Sequence, residues 1–396
     1  MSATLALKGA MPRERAAVSA LFLANGYVVG NWAPKVPSFK ADLGIDEAVL
    51  GLMILAMGVG SLVTMPLIGA AIAREGSRRI SIAAGLLLSP VMLFLTLMPG
   101  PWSAAAMALL LGGLIGGMDV AMNANAVAVE RRMGRAIMSS CHAWWSVGAL
   151  IGAATGGVLI ARFGPLGHAL AVFVVTLGIV AAATGAVMAD APVAHATKEA
   201  RPARALPGLL ALLVGVMALF SMIPEGSVLD WSALYLKQEL GASVEAAGLA
   251  FAAFSATMAI MRFSGDLIRD RLGAVLTLRV STVIAGMGLL VAAFAGSVPM
   301  AAAGFAFAGI GIANMVPIAF SAAGNLPGLA AGVGISAVSF MGYSGLLFAP
   351  SAIGFIAKHT GLGPIYLGLP VLYIVVLALS GLARYADPDP NGAPGL

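Results

Sequence analysis

The chain has 396 residues, 60% of them hydrophobic and only 10% charged, with a mean hydropathy of +0.98; a soluble domain carries about a quarter charged residues and could not bury that much apolar surface. The net charge of +5 and isoelectric point near 9.6 do not point to nucleic acid as a partner, because Lys and Arg are scattered through short segments rather than gathered in one patch. The single cysteine, Cys141, excludes an intrachain disulfide and a cysteine-based zinc or iron-sulfur centre, and no cofactor is expected.

A membrane span needs roughly 20 mostly apolar residues. Residues 1–15 carry Lys8, Arg13 and Arg15 ahead of an apolar run, with no small-residue cleavage site, so this reads as a retained first helix rather than a signal peptide. Six spans follow, at about 16–36, 48–72, 80–98, 103–128, 137–161 and 168–188. Asp190 to Pro207, with its charges and prolines, reads as a polar linker. Six more spans lie at about 209–235, 246–267, 275–295, 299–320, 329–356 and 365–384. All but five of the 22 Lys and Arg residues fall on the side of the termini, the exceptions being Lys35, Lys40, Arg162, Lys237 and Lys358. By the positive-inside rule both termini are expected in the cytoplasm, with the chain in a cell (inner) membrane. The segment near Gly324 carries no charge, so its side rests on helix counting alone.

A constant offset of 197 residues superposes small and polar landmarks: Asp42, Leu43 and Gly44 on Glu239, Leu240 and Gly241; Gly51 on Gly248; Gly76 on Gly273; Gly148 on Gly345; Gly157 on Gly354; Gly164 on Gly361. Composition does not easily produce a fixed offset through five helices, so the pattern predicts a duplication. The expected organisation is a six-helix bundle over 1–189, a linker at 190–207, a second bundle over 208–385 and a tail at 386–396.

Between spans 8 and 9 the chain carries Arg262, Gly265, Asp266, Arg269, Asp270, Arg271 and Gly273; its first-half counterpart has Gly69, Ala73, Arg74, Glu75, Gly76, Arg78 and Arg79. This segment resembles the loop signature of the major facilitator superfamily. The resemblance covers the whole chain in helix number, duplication and loop signature, and implies an all-α fold of 12 transmembrane helices in two six-helix pseudo-repeats. Such a loop places cations and a carboxylate at helix ends as a charge latch that one conformation breaks. Arg74, Arg78, Arg79, Asp266, Asp270 and Arg271 are its expected members, while the first copy has Ala73 where the family has an aspartate.

Within the superfamily the sequence is most similar to fucose-permease-like sugar:proton symporters. Asp119 followed four residues later by Asn123 matches that branch's intramembrane acid and Asn, on one helix face. Ser146 and Gly148 match its span 5, where His142 and Trp145 replace Gln and Asn; Pro37 and Phe39 fit in span 1, but the branch's acid there falls on Ala33.

Ionisable groups in lipid are costly, by about 2.5–3.5 kcal/mol for Asp at a helix centre, and tend to be functional. Asp119, in span 4, is the first candidate for proton binding, the alternative being a hydrogen-bonding network that holds the helix. Glu225, between Pro224 and Gly226, is a second; the proline predicts a break in span 7 beside an acid, with Asp230, Trp231 and Tyr235 beyond, unless Glu225 and Asp230 stabilise an outer loop. His142 could exchange a proton or bind a hydroxyl, or simply bond to a neighbouring helix. For the solute, Asn25, Asn31, Asn123, His142, Trp145, Glu225, Asn314 and Tyr343 are the candidates, since amides pair with hydroxyls and an indole stacks on an apolar sugar face. Asn314 is expected as the repeat-mate of Asp119. The 21 methionines read as packing, and no metal site is expected.

The expected function is secondary active transport of a small polar, sugar-like solute by alternating access, coupled to protons, by a monomer in the bilayer. Gly148, Gly152, Ala153, Gly156 and Gly157 resemble the span 5 signature of drug:proton antiporters, apart from Ala153 in place of its proline, which makes efflux the alternative. A non-transporting receptor or scaffold is the other class. An enzyme is not expected, because no nucleophile with a base and no metal constellation is found, and no phosphate-binding loop ends in Gly, Lys and Ser or Thr.

Overall fold

The computed structural model describes residues 13–190 and 208–387, so the predicted linker beyond Asp190, the tail beyond Asp387 and the N-terminal stretch with Lys8 lie outside the described residues. The elements are all helical: α1 (Arg13–Gly30), α2 (Trp32–Leu43), α3 (Glu47–Glu75), α4 (Ser77–Leu88), α5 (Val91–Thr96), α6 (Pro101–Met133), α7 (Met138–Thr184), α8 (Leu209–Glu239), α9 (Val244–Leu272), α10 (Ala274–Ala293), α11 (Val298–Ile312), α12 (Met315–Gly324), α13 (Ala331–Thr360), α14 (Gly363–Gly368) and α15 (Pro370–Leu379), closed by a 3-10 segment at Ser380–Ala386. Among the described residues nine helical stretches are long and apolar enough to cross a membrane. One of them, α7, has 47 residues. At 1.5 Å per residue that would be about 70 Å, more than twice a hydrocarbon core. The chain reverses inside it at Gly164 (φ 71°, ψ 175°), followed by Pro165, so α7 supplies two crossings. With α1 and α2 as one segment and α9 as another, the arrangement is consistent with twelve crossings in two six-helix units.

The 197-residue offset recurs in backbone geometry. Gly44 and Gly241 take φ of 61° and 67°, Gly76 and Gly273 81° and 75°, and Gly164 and Gly361 71° and 82°. Only glycine adopts that region freely, so each pair marks the same turn built twice. The helix caps repeat as well: Asp46 Oδ1 accepts from Val49 N at 2.8 Å to start α3, and Ser243 Oγ accepts from Ala246 N at 3.2 Å to start α9.

Within the units α1 packs on α7, α3 on α6, α8 on α13 and α10 on α11. Small residues allow this. A side chain at Gly26 or Gly30 of α1 would meet the Trp145 and Ala149 backbone, and one at Gly148, Gly152 or Gly156 of α7 would meet Leu23, Tyr27, Asn31 or Pro34. In lipid, where burial gives no hydrophobic drive between helices, such close backbone approach supplies the attraction. The glycines that resemble the antiporter signature are therefore accounted for by the contact with α1 and the start of α2, apart from Gly157, which faces open space. The two units meet along α3 with α13 and α7 with α9.

The break predicted at Pro224 is not present: α8 runs continuously from Leu209 to Glu239 with Pro224 inside it. The discontinuity lies instead in span 10, between Ile312 and Met315. Its cause is Pro317, which has no N–H to return to the Ala313 carbonyl four residues back.

Candidate functional site

On α6, Asp119 and Asn123 are one turn apart, 5% and 0% exposed. Asn123 Nδ2 donates to the Asp119 carbonyl at 2.8 Å and to its Oδ1 at 3.2 Å, and Asn123 Oδ1 lies 3.3 Å from His142 Nε2 of α7. The His142 ring sits between Phe22 and Phe320, at centroid distances of 5.2 and 5.6 Å. Across the interface, Ser339 and Tyr343 of α13 lie beside the Asp119 carboxylate. Asp119 Oδ2 and Ser339 Oγ are nevertheless both buried without a hydrogen-bond partner. An unsatisfied carboxylate oxygen inside a bundle marks a group with a further ligand or proton to take.

One helical turn along α7, Ser146 Oγ accepts from Arg262 Nη1 of α9 at 2.9 Å, and Arg262 Nη2 pairs with Glu225 Oε1 of α8 at 2.7 Å. Asp119, Asn123, His142, Tyr343 and Glu225 thus line one region between the units. The other solute candidates sit elsewhere. Asn25 ties three helices of the first unit, accepting from Trp145 Nε1 at 2.9 Å and donating to the Ile115 carbonyl at 3.2 Å. Asn31 donates to the Tyr27 carbonyl and meets His168 Nε2 at 2.9 Å, also within the first unit. Asn314 stands at the break in span 10 against Gly265, its Oδ1 unpartnered.

At the end of the bundle that holds the described termini, the units are cross-linked. Asp266 accepts from Ser139 N at 2.9 Å and Ser140 N at 3.2 Å, with Arg15 at 3.6 Å. Asp270 accepts from Ala136 N at 2.7 Å, with Arg135 at 3.6 Å. Asp266 therefore occupies the N-terminus of α7, where free amides and the helix dipole favour negative charge, and Asp270 sits on the segment just ahead of it. Glu130 of α6 accepts from Ile137 N at 2.9 Å, from Ser321 Oγ and from Arg269 Nη1 at 2.9 Å. Arg131 donates to Asn325 and to the Gly324 carbonyl, so the uncharged segment near Gly324 receives its cation from the other unit. Of the predicted latch only Asp266 and Asp270 take part; Arg74, Arg78, Arg79 and Arg271 enter no ion pair among the described residues.

The 197-residue offset relates the two interfaces. Asp266 and Ser139 correspond to Gly69 and Ser336, which also meet, but as a small-residue contact with Gly332 close by. One interface is charged here and its repeat carries no charge at the equivalent contact.

Sequence reasoning named Arg262, Arg269 and Ser146 only as members of motifs, with no site role, and did not single out Ser339, Glu130 or Ser321. Arg262 was detectable, since it lies inside the predicted span at 246–267, where a cation needs a partner. Glu130 and Arg269 stand at helix ends, where a charge ordinarily meets water.

A membrane bundle consistent with twelve crossings in two repeated units, with a buried polar region between them and a charged seal at one end, has the architecture of a secondary transporter. The comparisons agree. The Major Facilitator Superfamily model matches residues 18–236 and 216–395, and the chain belongs to that superfamily, a family of transporters rather than enzymes. It is 35% identical over 365 residues to an uncharacterized MFS-type transporter of Yersinia pestis, covering 91% of this chain and 93% of that one. It is 33% identical over 384 residues to the membrane protein MosC of Rhizobium meliloti, covering 94% and 92%. Among solved structures it superposes on the transporter FucP in the outward conformation with a TM-score of 0.75 at 14% identity, covering 93% of this chain and 98% of that one. FucP of E. coli is a fucose:proton symporter. The human organic anion transporter MFSD10 superposes at 0.70 with 15% identity, covering 93% and 99%.

Proposed function

We propose that the chain is a proton-coupled symporter of a small polar organic solute, with Asp119 as its proton site and residues 1–189 and 208–385 as the two units that rock about the solute. The observation that carries this is the Asp119 carboxylate itself: mid-helix, buried, one oxygen unsatisfied, and facing Ser339 and Tyr343 across the interface. A carboxylate placed there can couple its proton to whether the opposite unit closes on it. Asn123 and His142 supply donors and acceptors for solute hydroxyls on the same face.

The charged seal at the terminal end supports a state closed on that side. By the positive-inside rule that side is the cytoplasm of a cell membrane, so the solute would enter from outside, as expected for uptake. The fucose:proton symporter and the organic anion transporter named above share this fold and set the class of solute to try first.

The test is proton movement in proteoliposomes on addition of sugars, small organic acids or cationic drugs, comparing wild type with Asp119→Asn. Solute-driven proton influx that the variant loses is the expected result. Coupled influx unchanged in Asp119→Asn would remove Asp119 from the mechanism, and outward-coupled drug flux would replace symport by antiport.

A further inference from the structure

A guanidinium buried in a membrane bundle must be compensated, so the partners of Arg262 describe what it is built to hold. The residue is 5% exposed, and its donors all point inward: Nε to the Ala313 carbonyl at 3.4 Å, Nη1 to Ser146 Oγ at 2.9 Å and Nη2 to Glu225 Oε1 at 2.7 Å. The Ala313 carbonyl is free for this because Pro317 cannot bond to it. Two of the three partners are neutral and fixed by backbone or by the first unit. Among the described residues only Glu225 pairs with its charge. It does so through a single contact to one oxygen, where a guanidinium can hold a carboxylate by two parallel bonds. Its side chain is also the more open of the pair, 16% exposed against 6%. Arg262 moreover bridges the two units, since Ser146 belongs to the first and Glu225 to the second. A solute bound between the units therefore meets a fixed cation whose counter-ion is the least anchored of its partners.

We propose that Arg262 is the anion-recognition residue of the solute site and that the solute is a small hydroxylated carboxylate of the sugar-acid class, whose carboxylate replaces that of Glu225 on the guanidinium. The inference rests on the transport function proposed above and narrows its solute from polar to acidic. Asn123, His142, Ser339 and Tyr343 lie on the facing elements to take the hydroxyls. Glu225, once displaced, no longer balances the guanidinium, and the solute carboxylate takes its place as the counter-ion of Arg262. Of the elements packed on α8, α11 and α12 carry no titratable side chain, α13 presents Tyr343 to Asp119, and α9 and α15 present Arg262 and Tyr373 to Glu225. The closing 3-10 segment pairs Arg384 with Tyr385.

The test is ligand-dependent thermal stabilisation of the purified full-length chain in nanodiscs, with gluconate and glucuronate against glucose as the neutral probe. Either sugar acid stabilises the wild type and glucose does not. Arg262→Gln weakens the apparent affinity for the acid by about thirtyfold or more, the size expected when one partner of a buried charged contact is removed. Glu225→Gln keeps the shape but removes the competing charge, so it tightens binding, a change that misfolding cannot mimic. Stabilisation by neither acid, or weaker binding in Glu225→Gln, overturns the proposal. Glucose-driven proton uptake that needs Asp119 but ignores Arg262→Gln also overturns it while leaving the symport reading intact. Arg262-dependent binding of a sugar acid without proton flux in proteoliposomes upholds it and sinks the coupling at Asp119 instead.

Discussion

Glu130 of the first unit and Arg269 of the second meet at 2.9 Å, with side chains only 5% and 3% exposed. Around them Arg269 also reaches Ser321, the Ala386 carbonyl and Asp387, while Glu130 holds the amide that precedes α7. A buried pair of this kind contributes little as a pair, but removing one member strands the other.

Arg269→Gln is therefore expected to favour the state in which this end of the bundle is open. Stranding a buried charge costs about 3–5 kcal/mol, and the donors that Glu130 keeps, Ile137 N, Met138 N and Ser321 Oγ, bring the expected effect toward the lower value. Distances between spin labels on the terminal ends of α6 and α12 would lengthen in the variant. An unchanged distance distribution would mean that other contacts hold the seal.

Ala73 stands 197 residues before Asp270, whose carboxylate accepts from Ala136 N. The position equivalent to Ala136 is Val333, in the first turn of α13. Ala73→Asp is expected to gain the charge-assisted contact that the second copy has, holding the terminal end shut more firmly and slowing solute turnover. Paired spin-label distances and transport rate check this, and a faster rate in the variant would contradict it.

Asp190 receives the amides of Ser77 at 2.8 Å and Arg78 at 3.1 Å, and Asp387, again 197 residues on, receives that of Ala274 at 2.8 Å. Each carboxylate caps the helix that follows a positive-φ glycine. Replacing either with Ala should lower stability by about 1 kcal/mol, as for other N-terminal caps. Asp387→Ala should cost more, since Asp387 also lies 3.5 Å from Arg269. Thermal unfolding of the two variants side by side would read the difference.

Gly148→Val drives a branched side chain into the Leu23 carbonyl and the Tyr27 amide. Overpacking of this kind costs about 1–3 kcal/mol, with more here because the opposing atoms are backbone. The same change at Gly157, which faces open space, should be tolerated. The melting temperatures of the two variants would separate packing from any signature role of the glycines.

The fold was legible because its causes are local or periodic. Apolar length marked the spans, and the duplication appeared as a fixed spacing of glycines whose positive φ only that residue takes freely. Asp119 and Asn123 were legible for the same reason, an acid and an amide one turn apart within an apolar run. Pro224 misled because a proline inside a long helix can be absorbed by its packing, whereas Pro317 leaves a carbonyl that another helix must satisfy. Asn25, Asn31 and Trp145 share the composition of a solute site yet brace the first unit, and nothing in their sequence spacing separates the two uses.

The sequence by itself determined that this chain dissolves in lipid, crosses it repeatedly and is built twice, because hydropathy, helix length and glycine conformation depend on residues close in the chain. Only the tertiary structure decided which charges meet. Glu130 finds Arg269 139 residues away and Arg262 reaches Ser146 across 116, and no periodicity encodes which faces of helices, apolar nearly all round, turn toward each other.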